Sequence, residues 1–249
     1  MTFWPKRPLR EIDIMRSKIF APLILTVSFL GCAENPADSV PNVTATPPKN
    51  VAPAQPTEPT PGAVDPTITA KAGALVATAV TDAGLAFSSQ GSKIDFVGSK
   101  VTGSHKGGFK AFNGAIELGP DAKTIQKITA EIEMTSLWAD NDSLTTHLKA
   151  PDFFNVATYP KSNFVTTEIK EGGDKGATHT ITGNLELHGV NKSITFPATV
   201  TVAPDAVTLI SEFALNRFDF GIVTPGKSDD LIRKEVVLKL DINAAKPKS

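Results

Sequence analysis

One cysteine, Cys32, and one tyrosine, Tyr159, are all that this chain of 249 residues holds of either. A single cysteine excludes an intrachain disulfide, and with it any zinc or iron–sulfur site built from several thiolates of one chain. The four histidines, His105, His147, His179 and His188, show no His-x-x-x-His spacing, and neither HExxH nor CxxC occurs. A GxSxG elbow and a phosphate-binding P-loop are missing as well. The run Asp140–Asp142 lacks the glycine and terminal glutamate of an EF-hand, so it reads as a solvated turn or a helix cap. An excess of charge of either sign is absent too: 25 Lys and Arg stand against 26 Asp and Glu, for a formal net charge of −1. That argues against nucleic acid as a partner, since phosphate binding needs a basic surface, and gives no reason to expect a strong pull toward anionic lipid. The expectation is therefore a protein with no metal, no cofactor and no catalytic constellation.

What is present begins with an address. From Met15 the chain runs MRSKIFAPLILTVSFLGC, with Arg16 and Lys18 as a short basic region and Ile19 to Leu30 as an apolar run too short to span a bilayer. Residues 1–31 read as a secretory signal, with Met15 as an alternative start. The Gly31-Cys32 ending resembles a bacterial lipobox, in which the cysteine is lipid-modified and becomes the mature N-terminus. Phe29 stands where such motifs usually carry leucine. The implied location is the periplasm or outer envelope, with a membrane anchor at Cys32; the bland alternative is a plain signal peptide with an incidental cysteine. Residues 32–83 are rich in Pro, Thr and Ala, and read as a semi-rigid spacer that cannot bury enough apolar surface to order itself, with the Ala/Thr-rich stretch 67–83 open to a short helix or a first strand instead.

From Gly84 to about residue 245 the pattern changes to short alternating runs. In Lys127–Met134 the residues Ile128, Ala130, Ile132 and Met134 share one face. Ile181, Leu185 and Leu187 do the same in the next clear run, and Val236, Leu238, Leu240 and Ile242 in the last. Period-2 alternation marks half-buried strands. Further strands are expected over 84–88, 92–101, 107–118, 162–170, 193–202 and 206–215, joined by short turns that suit antiparallel neighbours. Residues 135–160 break the alternation and predict one short helix, with Asp142 or Ser143 as N-cap and Pro151 as its stop. The fold class is all-β with one helical excursion, a barrel or a sandwich; pattern alone does not separate the two.

Four segments in this order resemble the YceI family of secreted, lipocalin-like lipid-binding proteins. Ser92 to Leu118 contains a Gly-x-Phe-x-x-Phe-x-Gly element that starts at Gly107 or Gly108 and continues through Phe109, Phe112 and Gly114. Leu144 to Phe164 is similar to the family's helical segment with its Asp-Phe-Phe, here Asp152, Phe153 and Phe154. Ile181 to Phe196 matches its Leu-x-Leu-His-Gly-Val hairpin, and Asn216 to Ile222 is the fourth segment. The resemblance implies an antiparallel barrel of about eight strands whose apolar interior takes a polyisoprenoid or another long-chain lipid, without catalysis. Thr145 and Thr146 occupy positions where many members carry an Arg-Asp pair, which leaves the identity of the lipid head group open.

The expected ligand contacts are Phe109, Phe112, His147, Phe153, Phe154, Tyr159, Phe164 and Arg217. Phe153 and Phe154 are expected to point inward, Tyr159 to sit near the rim, and Phe164 to open the next strand. Ordinary core packing is the competing reading for each ring. For Arg217 and Asp219, a structural ion pair competes with a head-group contact. The function expected is carriage or storage of a lipid. Its rivals are a ligand-free scaffold or adhesion module, with an interior packed solid, and a metal-dependent hydrolase on a β scaffold.

Overall fold

The computed structural model describes residues 34–49, 84–228 and 230–245; residues 1–31, expected to be a secretory signal, Cys32 and the stretch 50–83 lie outside them. Within these residues the strands are β1 (Asn42–Val43), β2 (Gly84–Ser88), β3 (Lys93–Lys100), β4 (Gly103–Phe109), β5 (Phe112–Leu118), β6 (Ile125–Glu133) and β7 (Leu137–Ala139). They continue, after helix α1 (Asp142–Lys149), as β8 (Lys161–Glu171), β9 (His179–Leu187), β10 (Val190–Val202), β11 (Ala206–Asn216), β12 (Gly226–Lys227) and β13 (Asp230–Ala245). One hydrogen-bonded path runs β2-β5-β6-β8-β9-β10-β11-β13-β3-β4-β7, every neighbouring pair antiparallel. The sheet curls into a half-barrel, with β2 lying alongside β13. The all-β, antiparallel, one-helix expectation is borne out.

The alternation read from the sequence sets the inner wall. Residues of one parity turn their apolar side chains inward to a shared core that includes Ile116, Ile181, Val207 and Phe213, each almost wholly buried. The turns are equally local. Val190 pairs with Leu187, so β9 and β10 are joined by His188 and Gly189 alone. Both have positive φ, +53° and +71°. A two-residue turn that follows the natural strand twist demands that geometry, and glycine supplies it without steric cost. His188 serves this turn, its Nδ1 lying 3.1 Å from the carbonyl of Phe220.

Three expectations are corrected. The run 107–118 is not one strand. It breaks at Lys110 and Ala111, because β4 pairs with β3 and β7 whereas β5 pairs with β2 and β6. The Gly-x-Phe-x-x-Phe-x-Gly element thus spans a change of neighbours. Its Gly107 has a steric reason: a Cβ there would lie 2.4 Å from the ring of Phe96 on the adjacent strand. The helix is capped by Asn141, one residue before the expected cap, with Leu144 N donating to Asn141 Oδ1 at 3.0 Å. It ends at Ala150, where Pro151 forbids a further turn.

The third correction concerns the spacer. Residues 34–49, composed like a linker, are built into the wall. β10 and β11 pair only over Thr199–Val202 and Val207–Ile210, then splay apart. Into the gap comes β1, parallel to β11 with Asn42 opposite Ala214 and Val43 opposite Leu215. On the other side Thr46 exchanges backbone hydrogen bonds of 2.8 and 2.9 Å with Ser193 of β10. Upstream, Ala37 covers an outward apolar stripe made of Val97, Ala214 and Val237. Asn35 accepts from the Ser99 hydroxyl at 3.2 Å. Downstream, Lys49 N donates to Asn184 Oδ1 at 3.0 Å. Low overall hydrophobicity did not prevent order, because the strap need only supply Ala37 and Val43 to holes the barrel already has, plus backbone groups to unpaired strand edges.

Candidate functional site

The half-barrel encloses a cavity of about 360 Å³. The inward faces read from the sequence line it: Ile128, Ala130, Ile132 and Met134 from β6, and Leu238 and Leu240 among those from β13. At one end the lining is deeply buried, through Phe87, Ile128, Leu209 and Ile242. At the other, Lys100, His105, Leu144, Ile232 and Val236 are partly exposed, and this end is open. Helix α1 and the loop after it stand at the open end.

Of the expected ligand contacts, five line the cavity: Phe109, Phe153, Phe154, Phe164 and Arg217. Phe164 is the fourth residue of β8 and lies across Gly183, where a Cβ would come within 2.4 Å of its ring. Three do not line it. Phe112 faces inward opposite Ile132 but is buried in the main core without reaching the cavity. His147 is on the outer, half-exposed side of α1, with Nε2 2.8 Å from Asp152 and its ring edge-on to Phe153 at 5.0 Å. Tyr159 packs edge-on against His188 at 4.7 Å, over the hairpin turn at Gly189 rather than at the cavity.

Among the described residues Arg217 is the one charged side chain drawn deep into the wall, at 5% exposure. Its described partners are backbone carbonyls: those of Ile222 at 2.5 Å, Thr224 at 2.6 Å, Ile232 at 3.2 Å and Arg233 at 3.1 Å. Asp219 instead takes a bond from Asn216 at 3.4 Å, so the Arg217–Asp219 ion pair does not form. Burial pulls the Arg217 pKa below the usual arginine value. Four carbonyl acceptors offset that desolvation and keep the guanidinium in place. Its role is to tie the 222–224 loop to the start of β13 beside the opening.

The other polar liners are also engaged. Ser99 bonds Asn35, Ser162 donates to the carbonyl of Glu186 at 2.6 Å, and His105 sits 2.8 Å from Asp140. Asp140 lies below the ordinary carboxylate range, chiefly because the Lys106 N–H donates to it, with His105 adding to the effect. Asp152 is lowered in turn by its hydrogen bond to His147. Among the described residues no three His, Cys, Asp or Glu side chains converge on a point that could hold a metal ion. A space walled by apolar groups, whose polar members are already satisfied, favours an apolar occupant that asks for no new hydrogen bonds.

Sequence reasoning missed the aromatic floor. Phe196 and Phe213 stack at 4.6 Å with 14° between their planes, and both line the cavity with Phe96. Their inward parity, set by the strand alternation, was the available signal.

Comparison with known proteins places this architecture among relatives. The YceI-like domain family matches residues 86–244. A UPF0312 protein of Pseudomonas putida strain F1 is 32% identical over 136 residues, covering 52% of this chain and 70% of the relative. A UPF0312 protein of Pseudomonas fluorescens is 30% identical over 139 residues, 53% of this chain and 71% of the relative. Among solved structures, Burkholderia cenocepacia BcnA aligns with a TM-score of 0.56 at 24% identity, over 63% of this chain and 98% of its own. A polyisoprenoid binding domain from Saccharophagus degradans, implicated in plant cell wall breakdown, aligns with a TM-score of 0.52 at 14% identity, over 66% of this chain and 99% of its own.

Proposed function

We propose, for a chain that belongs to the YceI-like domain family, that it holds a long apolar lipid of the polyisoprenoid class in the half-barrel cavity without altering it chemically. The observation that carries the proposal is the cavity itself: about 360 Å³, open at one end and lined from β3 round to β13 by aliphatic and aromatic side chains. An interior packed solid would have suited a scaffold. Emptying such a space of water and filling it with hydrocarbon is favourable by about 25 cal/mol for each Å² of apolar surface covered. The polyisoprenoid binding domain with the same fold supports the choice of lipid class. We further propose that the chain is exported and anchored through lipid on Cys32, placing it in the cell envelope.

The deciding experiment is mass spectrometry of organic extracts of the purified protein, paired with uptake of added polyprenyl compounds. A stoichiometric long-chain lipid, or saturable uptake of one polyprenyl per chain, is the expected result. Recovery of none, with no uptake, refutes the proposal.

A further inference from the structure

Five large apolar side chains are exposed among the described residues: Val101, Ile210, Phe218, Val223 and Leu231. Single exposed apolar residues are ordinary, but clustering is not. Four of these gather at the open end of the cavity. Val101 follows Lys100, which lines the opening, and its N–H donates to the carbonyl of Leu231 at 3.2 Å. Val223, the most exposed at 60%, follows Ile222, which lines the cavity. Leu231 precedes Ile232, another liner, whose N–H donates to the carbonyl of Pro225 at 2.9 Å. Phe218 lies under the Arg217 guanidinium at 4.7 Å, and that guanidinium bonds the carbonyls of Ile222, Thr224 and Ile232. Ile210, the fifth, is on β11 next to Leu209, at the closed end.

The geometry points to a membrane-docking rim: Val101, Val223 and Leu231, with Phe218 beside them, rest in the interfacial layer of a bilayer and turn the mouth of the cavity toward it. The apolar rim is continuous with the apolar interior, so a lipid passes from one to the other without meeting water. The strap adds an independent placement, which rests on the proposed lipidation. Asn35 is fixed to Ser99, at the open end. Between Cys32 and Asn35 the chain reaches at most about 11 Å. An anchor on Cys32 therefore holds this end, and not the Ile210 end, against the membrane.

The test uses the full chain carrying Cys32→Ser, with a single new cysteine at Val101, Val223, Leu231 or Ile210. Each is labelled with an environment-sensitive fluorophore and mixed with vesicles of phosphatidylethanolamine and phosphatidylglycerol. Probes at 101, 223 and 231 shift to the blue and are quenched by brominated lipid; the probe at 210 does neither. Equal responses at 210, no response at any site, or a rim response that needs only a second copy of the chain and no vesicle overturns the proposal. In a second arm, Val101→Asp, Val223→Asp and Leu231→Asp are combined. Losing interfacial burial of even one such side chain is worth about tenfold in partitioning, so delivery of a polyprenyl from vesicles slows by about tenfold or more. Uptake of the same polyprenyl from detergent solution is unchanged, because none of the three lines the cavity. Unchanged delivery from vesicles refutes the rim. If the unmodified chain takes up no polyprenyl even from detergent, the lipid-binding reading falls, and the fluorophore arm still decides the rim.

Discussion

Val43 lies opposite Leu215 in a parallel pairing, in a sheet whose main path is antiparallel throughout. Val43 is 6% exposed and belongs to the main core, so the strap contributes a core side chain as well as backbone hydrogen bonds. Truncating a buried aliphatic side chain removes transfer energy and leaves a hole. Val43→Ala should lower stability by roughly 1–3 kcal/mol, and Val43→Asp by more, because it buries a charge in an apolar gap. Urea unfolding followed by circular dichroism measures both. A spacer with no structural part would show no change in either.

Filling the cavity from within separates binding from folding. Ala130 lines the space from the middle of β6, facing Phe164 across the ladder. Ala130→Phe should project a ring into the volume the lipid needs. The expected outcome is at least a tenfold loss of polyprenyl affinity, about 1.4 kcal/mol, with a melting temperature that moves only a few degrees. Titration with a fluorescent polyprenyl and thermal melting check the two halves.

Arg217 holds four carbonyls at once, and lysine presents no planar fork to reach them. Arg217→Ala leaves these acceptors without their donor, at a cost of about 1–3 kcal/mol for each one that water cannot reach. Arg217→Lys should recover little of it. Hydrogen exchange should accelerate first around 222–224 and 232–233, ahead of global unfolding. Uniform acceleration across the sheet would assign Arg217 to general stability instead.

The β5–β6 turn has its own acid response. The Thr124 hydroxyl, the Thr124 N–H and the Lys123 N–H all donate to the Asp121 carboxylate and hold its pKa at about 2, below the ordinary 3.8. A depressed folded value means the carboxylate stabilises the turn above the unfolded pKa, and this is lost as pH falls through about 2. The Asp121 carboxyl resonance should titrate near that value. Thr124→Val should move it up toward 3.8. A midpoint already at the ordinary value in the unmodified chain contradicts the hydrogen-bonded turn.

The anchor is tested by Cys32→Ser. Lipid on Cys32 should keep the unmodified chain in the membrane fraction through high salt, and the variant should lose the labelled fatty acid that the unmodified chain incorporates. A variant that incorporates the label equally shows that Cys32 is not the modified residue.

The cavity was legible where local periodicity decides it. Ile128, Ala130, Ile132 and Met134 share a face because strand side chains alternate, and all four line the space. The ring cluster Phe153, Phe154 and Phe164 was legible by resemblance, and it too reached the interior. Tyr159 and His147 were not, since their partners, His188 and Asp152, are set by how the post-helix loop folds back. Phe112 shows the limit of a motif: its register fixes an inward side chain, but depth in the core depends on β2 and β6 beside it. The strap was the least legible element. Two residues of strand carry no periodicity, and the gap that receives them exists only once β10 and β11 have diverged.

That gap orders events in time. Thr46 and Ser193 are 147 residues apart along the chain. The strap precedes β2 to β13 along the chain, yet its seat exists only once β10 and β11 have formed. Contacts so distant in sequence form slowly, because the intervening chain must be ordered before they are rewarded. Until the strap docks, the edges at Ser193 and Leu215 present unpaired backbone groups, a template for pairing with another chain. Docking of the strap is thus expected late in folding, and a barrel without it offers those edges to another chain.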